Sequence, residues 1–151
     1  MKIADTYQLA ESIKSFLKEM IPTMTMALLE ESVDFTLPEI REYQVGYVDV
    51  FNLTFYPSIF IGCGKTTPAE RFSDTYEIDI VFVHKNGNKN QLIKEGYLYS
   101  DILYYLFRTY HRLNGASLNI VPVEREHFEG DELFVSSLLL RVEVENGEYG
   151  K

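Results

Sequence analysis

Hydrophobic positions along the chain follow two periods, one typical of helices and one typical of strands. From Ile3 to Met20 apolar residues recur in steps of three and four, which is the pattern of one face of an amphipathic helix. The stretch from Leu92 to Leu113 repeats this spacing. Two helices are therefore predicted. Pro22 is predicted to end the first, because proline removes a helix hydrogen bond and clashes with the preceding turn.

Strand patterns fill the region between the two helices. Val45 to Phe55 is rich in Val, Tyr and Phe, Ser58 to Ile61 is a short apolar run, and Thr75 to His84 alternates most regularly. We predict three strands here. Residues 23–42 are predicted to be irregular, and Gly62 to Asp74 is predicted to be a polar loop.

A hairpin is predicted after the second helix. Its strands are Ser117 to Val123 and Leu133 to Glu145, joined by a charged loop from Glu124 to Asp131. Pro122 cannot donate a ladder hydrogen bond, so it indicates that its strand has a free edge.

This order of elements predicts an α+β fold. Only one long crossover helix lies within the strand region, so the sheet is expected to be mixed and mostly antiparallel, with about five strands. The two main helices are expected to pack on one face. With 151 residues, 46% of them hydrophobic, the chain has the size of a single domain, residues 1–151.

Composition excludes several classes of protein. The formal net charge is -9, which argues against wrapping a nucleic acid or binding an anionic membrane, because both depend on Lys and Arg. The single cysteine excludes an intrachain disulfide framework. No signal peptide and no run of about 20 apolar residues is visible. We expect a cytoplasmic product that does not enter membranes.

No motif for catalysis or cofactor binding is complete. Gly62-Cys63-Gly64-Lys65-Thr66 resembles the end of a phosphate-binding loop, but Ile59 stands where the first glycine is required. Cys63 has no histidine near it in sequence to act as a base, and the three histidines lack metal-ligand spacing. The sequence predicts neither an enzyme nor a cofactor or metal site.

Paired carboxylates on two strands leave three interpretations open. Glu77 and Asp79 share one side of a strand, as do Glu143 and Glu145. Such pairs can bind Mg²⁺ or transfer protons, but in an antiparallel sheet they more often form the solvated face. In a ring assembly the same face can line a lumen.

Aromatic residues are abundant in the second helix and surround more than one face of it. They are Tyr97, Tyr99, Tyr104, Tyr105, Phe107 and Tyr110. A single core needs only one stripe, so the excess indicates either a protein interface or dense packing, and both remain open.

The element order resembles that of the tail terminator, or tail completion, proteins of long-tailed bacteriophages. Four segments carry the resemblance, which spans most of the chain. They are the first helix, the strand region ending in Tyr56-Pro57-Ser58-Ile59-Phe60-Ile61, the strand Tyr76 to Val83 with the helix Tyr97 to Leu113, and the closing hairpin of Leu118 to Val123 and Leu133 to Val144. The match is one of pattern and size, since this diverse family has no diagnostic motif.

The resemblance implies a structural assembly protein without enzymatic activity. Such proteins form a hexameric ring that caps the tail tube, stops its polymerisation and joins it to the head. The implied partners are further copies of the chain, the tail tube protein and a head-completion or neck protein. DNA would only pass through the lumen. The implied location is the virion tail or neck, assembled in the bacterial cytoplasm.

The resemblance also suggests where contacts would lie. The polar loop and the hairpin tip are assigned to tube or head contacts, and the acidic strand faces to neighbouring subunits or the lumen. The candidate interface residues are Lys65, Thr66, Arg71, Glu77, Asp79, Glu124, Arg125, Glu126, His127, Glu129, Arg141 and Glu143.

Three other functions remain open. The chain could be another phage neck or minor tail component, such as a head-completion protein that binds the portal side. It could be a dimeric regulatory module with a small-molecule pocket between sheet and helices. It could also be an enzyme that uses clustered carboxylates and Mg²⁺, although no nucleophile, base and orienting group can be assembled from local spacing.

Overall fold

The computed structural model describes residues 6–31, 37–70, 73–113 and 118–145. Within these ranges two helices and five strands follow the predicted order. They are α1 (Thr6–Glu31), β1 (Glu42–Val45), β2 (Ser58–Glu70), β3 (Ser73–Lys85), α2 (Lys89–Thr109), β4 (Leu118–Glu129) and β5 (Leu133–Glu145).

The strands form one mixed sheet in the order β1-β2-β3-β5-β4. β1 pairs with β2 in parallel, and the other three pairs are antiparallel. The α+β class and the mostly antiparallel sheet are therefore confirmed. β4 is an edge strand, as Pro122 indicated, and a β-bulge interrupts its pairing between Pro122 and Glu124.

Both helices pack against the same face of the sheet. α1 lies over β1 and β2, and α2 lies over β3, β5 and β4. Alternate residues of the strands meet the apolar stripes of the helices in one core. Its fully buried members include Ile13, Leu17, Ile59, Ile61, Ile78, Ile80, Phe82, Leu103, Leu106, Phe107, Phe134, Leu140 and Val142.

The predicted end of the first helix at Pro22 is wrong, because α1 continues through it to Glu31. Pro22 lies on the exposed side of the helix, so its ring does not disturb the core. Leu17 and Ile21 are almost fully buried on the other side. Burial of this stripe offsets the hydrogen bond that the carbonyl of Lys18 cannot receive from a proline. The predicted start at Ile3 lies outside the described residues.

Replacing Pro22 with alanine is expected to raise the free energy of unfolding by about 1 kcal/mol or more. Proline in a helix interior costs roughly 3 kcal/mol relative to alanine, and the exposed side chain makes alanine acceptable there. Urea unfolding monitored by circular dichroism measures the change. A loss of stability would show that the proline ring makes a contact that the helix needs.

The predicted strand Val45 to Phe55 is wrong in register and length. β1 ends at Val45, where Gly46 adopts a positive φ of 106° that glycine tolerates best. Residues 46–57 then form a loop, which we call the aromatic loop. Residues 23–42, predicted to be irregular, include the last turns of α1 and the first residue of β1.

The two predicted polar loops are also mostly strands. β2 extends to Glu70 and β3 begins at Ser73, and β4 extends to Glu129. Their polar residues pair in antiparallel ladders that satisfy the backbone, with register shifts between Cys63 and Lys65, between Pro68 and Glu70 and between Pro122 and Glu124. The Gly-Lys-Thr stretch at 64–66 is therefore part of a ladder and does not form a phosphate-binding loop.

Helix α2 lies unusually close to β5. A Cβ atom on Gly96 would lie 2.5 Å from the ring of Phe134. The helix begins after Asn88, whose side chain accepts a hydrogen bond from the backbone of Gln91, and it ends at Thr109, four residues before the predicted end at Leu113.

Candidate functional site: the outer face of the sheet

The face of the sheet turned away from the helices, here called the outer sheet face, is the main candidate site. Residues paired in register on neighbouring strands share a face, and the residues flanking each core position point the opposite way. Four cross-strand rows define the face. They are Lys65-Glu77-Arg141-Val121, Gly62-Asp79-Leu139-Glu124, Phe60-Val81-Ser137-Glu126 and Ser58-Val83-Val135-Phe128.

Apolar side chains form a strip across the middle strands of this face. Val81, Val135 and Leu139 are half-buried, and Val121 and Phe128 on the edge strand are exposed. Charged residues of β3, β5 and β4 border the strip. An apolar centre with a polar rim is the usual composition of a protein–protein interface.

Charges at one end of the outer sheet face are not paired with each other. Lys65, Glu77 and Arg141 occupy adjacent positions in one row. Within the described residues none of them has an ion-pair partner within 4.0 Å. They are therefore available to charges on another molecule.

The aromatic loop covers the other end of this face. The ring of Tyr47 lies against the backbone of Gly62, where an added Cβ would be 2.6 Å from the ring. Its hydroxyl donates a hydrogen bond of 2.5 Å to Asp79 Oδ2. These contacts fix the start of the loop on strands β2 and β3.

A turn at the tip of the aromatic loop presents Phe51 to solvent. Asp49 Oδ1 accepts a hydrogen bond from the backbone N–H of Phe51, and its Oδ2 accepts one from Asn52 Nδ2. The Phe51 side chain is 68% exposed. A large aromatic side chain held in this way by a fixed turn is unusual on a solvated surface.

Two cations lie beside the aromatic loop. The guanidinium of Arg41 is 4.8 Å from the ring centroid of Phe55, and the ammonium of Lys85 is 5.8 Å from that of Tyr56. The loop therefore combines exposed aromatic rings with positive charge, in a chain that is acidic overall.

Alkaline pH is expected to destabilise the fold in a way that depends on Tyr47. Partial burial and the hydrogen bond to Asp79 raise the pKa of Tyr47 above its usual range near 10. Above pH 10 the unfolded chain releases this proton while the folded chain retains it, so the free energy of unfolding falls as pH rises. Urea unfolding at pH 8 and pH 11 measures the loss, and Tyr47→Phe is expected to reduce it. An equal loss in the variant would contradict the assignment.

Seven of the candidate interface residues lie together on the outer sheet face. They are Lys65, Glu77, Asp79, Glu124, Glu126, Arg141 and Glu143. Thr66 is exposed but is in register with Tyr76, on the helix side of the sheet, and Arg71 lies outside the described residues.

Three candidate residues point the other way and hold β4 to α2. Arg125 donates a hydrogen bond of 2.8 Å to Asp101, and His127 Nε2 lies 2.7 Å from Ser100 Oγ. Glu129 accepts a hydrogen bond from the hydroxyl of Tyr97. The predicted loop at this position is wrong, because the segment is part of β4. The three side chains stay exposed beside α2, and their assignment to tube or head contacts stays a prediction.

Sequence reasoning missed the role of the aromatic loop and the apolar strip. The sequence predicts a strand over Val45 to Phe55, although Asp49 and Asn52 with a preceding Gly46 form a turn signature. The strip could not be recognised before the strand register was known.

Carboxylates gather on the outer sheet face. Among the described residues no group of three metal-ligating side chains occurs. Glu77 and Asp79 do share a face, as predicted, and Glu143 lies on the same one. The side chain of Glu145 is outside the described part of the structure. In that part, neither helix is long and apolar enough to span a membrane.

No protein-family model matches the chain, and no curated protein matches its sequence.

Proposed function

We propose that the chain is the subunit of a phage tail terminator, a ring that caps the tail tube and joins it to the head. The outer sheet face carries the proposal, since its apolar strip and charged rim suit docking to another protein. The resemblance of element order and size to tail terminators selects this kind of assembly.

The acidic balance of the chain fits a ring through which DNA passes. Glu77, Asp79, Glu124, Glu126 and Glu143 place more negative than positive charge on the outer sheet face. Where this face borders a lumen, its charge repels the phosphate backbone and lets DNA slide without binding. The remaining apolar strip is left for protein contacts.

Sedimentation with tail tubes, combined with light scattering, tests the proposal. The wild-type chain is expected to form an oligomer and to sediment with tubes. The double variant Val121→Asp/Phe128→Asp places charges in the apolar strip and is expected to lose tube binding. The control Thr109→Asp, at an exposed position of α2, is expected to retain tube binding. A wild-type chain that stays monomeric at high concentration and does not sediment with tubes would refute the proposal.

A head-completion role is the alternative within phage assembly. It predicts binding to portal protein in place of tail tubes. A pull-down with each protein separates the two roles.

One observation favours a small-molecule function as the second candidate. A cleft of about 590 Å³ lies between α1 and residues 37–43, within the size range of ligand pockets. Tyr43 and Tyr99 line it together with Lys18, Arg41 and Glu39. Burial raises the pKa of both tyrosines. The Tyr99 hydroxyl donates its hydrogen to the carbonyl oxygen of Pro38, so the Tyr43 hydroxyl is the donor offered to a ligand. Thermal stabilisation by a metabolite, lost in Tyr43→Phe, would support this function.

A further inference from the structure

We propose that the aromatic loop of one copy docks in the groove between α1 and α2 of the next copy. This inference deepens the proposed function, because it assigns the contact that would close the ring. It rests on two surfaces of the same chain that complement each other and lie on opposite layers of the fold.

The first surface is the aromatic loop on the sheet side. Tyr47, Phe51 and Phe55 are all exposed, and Phe51 is held at the tip by the Asp49 turn. Buried aromatic side chains contribute about 150–250 Å² each, so this trio suits the centre of an interface that buries about 800 Å² per partner. Preorganisation by the turn lowers the entropic cost of docking.

The second surface is a groove of about 440 Å³ on the helix side. Its walls are mainly apolar, and Tyr105 in one of them is 53% exposed. The apolar residues of these walls, with Tyr105, are Met24, Ala27, Leu28, Leu98 and Ile102. The groove has room for an aromatic ring, and within the described residues no side chain fills it. Part of the aromatic excess of α2 is explained if this groove is an interface.

Charge selects the occupant of the groove. Glu31 lines it in a last turn of α1 that holds no basic residue, so its carboxylate adds to the negative end of the helix dipole. Within the described residues Glu31 has no ion-pair partner within 4.0 Å. Asp101, on the other wall, is paired with Arg125. An incoming surface with aromatic rings and cations would satisfy both the apolar walls and the carboxylate of Glu31. The aromatic loop with Arg41 and Lys85 is such a surface.

The positions of the two surfaces determine the type of assembly. The aromatic loop covers the sheet face opposite the helices, and the groove lies between the helices. Their contact is therefore heterologous, with each copy using one surface as donor and the other as acceptor. Heterologous contacts close into rings when the rotation between copies permits it.

Directed disulfide cross-linking tests the pairing. In a Cys63→Ser background, one protein carries Phe51→Cys and a second carries Tyr105→Cys. Mixing the two under mild oxidation is expected to yield a covalent dimer that neither protein forms alone. Dimers from the Phe51→Cys protein alone would show a symmetric loop–loop contact and overturn the proposal, as would the absence of cross-linking in the mixture.

Light scattering of charge variants supplies the second measurement. Phe51→Asp and Tyr105→Asp are each expected to reduce the assembled mass to that of the monomer. The controls Thr54→Asp, in the same loop, and Met26→Asp, an exposed position of α1 outside the groove, are expected to assemble normally. If both test variants still assemble, the docking of the aromatic loop in the groove is overturned, and the ring forms through other surfaces. Tail tube capping tests the proposed function independently of which surfaces pair.

Discussion

Replacing Glu95 with alanine is expected to lower the free energy of unfolding by about 1–3 kcal/mol, because buried donors lose their acceptor. The Glu95 side chain is only 8% exposed, and its Oε1 lies 2.9 Å from Nε2 of buried His84. Asn86 Nδ2 and Gln91 Nε2 also donate to its carboxylate, at 3.2 Å and 3.1 Å. The variant leaves His84 without a partner, because its Nδ1 already has none in the described structure. Urea unfolding measures the loss.

The double variant His84→Leu/Glu95→Leu separates hydrogen bonding from packing. Replacing both partners by apolar residues removes the unsatisfied groups, so it is expected to cost less than Glu95→Ala alone. A loss below about 1 kcal/mol in Glu95→Ala would show that water replaces the missing carboxylate and that the pair does not stabilise the contact of α2 with β3.

Replacing Gly96 with alanine is expected to lower the free energy of unfolding by about 1–3 kcal/mol. The new methyl group would lie 2.5 Å from the Phe134 ring, which is fully buried. That ring packs against Phe82 on one side and Tyr97 on another, so it cannot move without further cost. The clash must exceed the gain in helix propensity from glycine to alanine, which is about 1 kcal/mol.

Gly87→Ala is the matched control for this prediction. An added Cβ at Gly87 meets no atom within 4 Å, so the change is expected to be close to neutral. Trimming the partner in Gly96→Ala/Phe134→Leu is expected to recover part of the loss. A stabilised Gly96→Ala variant would contradict the close approach of α2 to β5.

Periodicity was sufficient to predict the fold class, because burial against one core imposes it. The alternation in Tyr76, Ile78 and Ile80 and the helical stripe through Leu103 and Phe107 follow from packing on a common face. These signals do not depend on partners far away in sequence. The order of elements and the mixed sheet followed from them.

Element ends were predicted poorly where tertiary contacts override local preferences. Burial of Ile21 keeps α1 intact through Pro22. Residues 124–129 form a strand although Phe128 is its one apolar residue, because Arg125 and His127 bind α2 and the backbone pairs with β5. A charged segment without hydrophobic alternation carries no sign of this pairing.

The candidate site was predicted only in part for the same reason. The acidic positions Glu77, Asp79 and Glu143 could be placed on one side of their strands from alternation alone. The apolar strip between them depends on strand order and register, which no local pattern fixes. The aromatic loop depends on the turn at Asp49 and on the contact of Tyr47 with Gly62, which joins the loop to β2.

The length distribution of tail tubes polymerised with and without the protein tests the central proposal most directly. Electron microscopy of tubes grown from purified tube protein supplies the measurement. The proposal predicts that the wild-type chain and Thr109→Asp halt growth, giving short tubes with a density at one end, and that Val121→Asp/Phe128→Asp lets growth continue. Tubes that reach the same length with and without the wild-type chain would contradict a tail-terminating function for the outer sheet face.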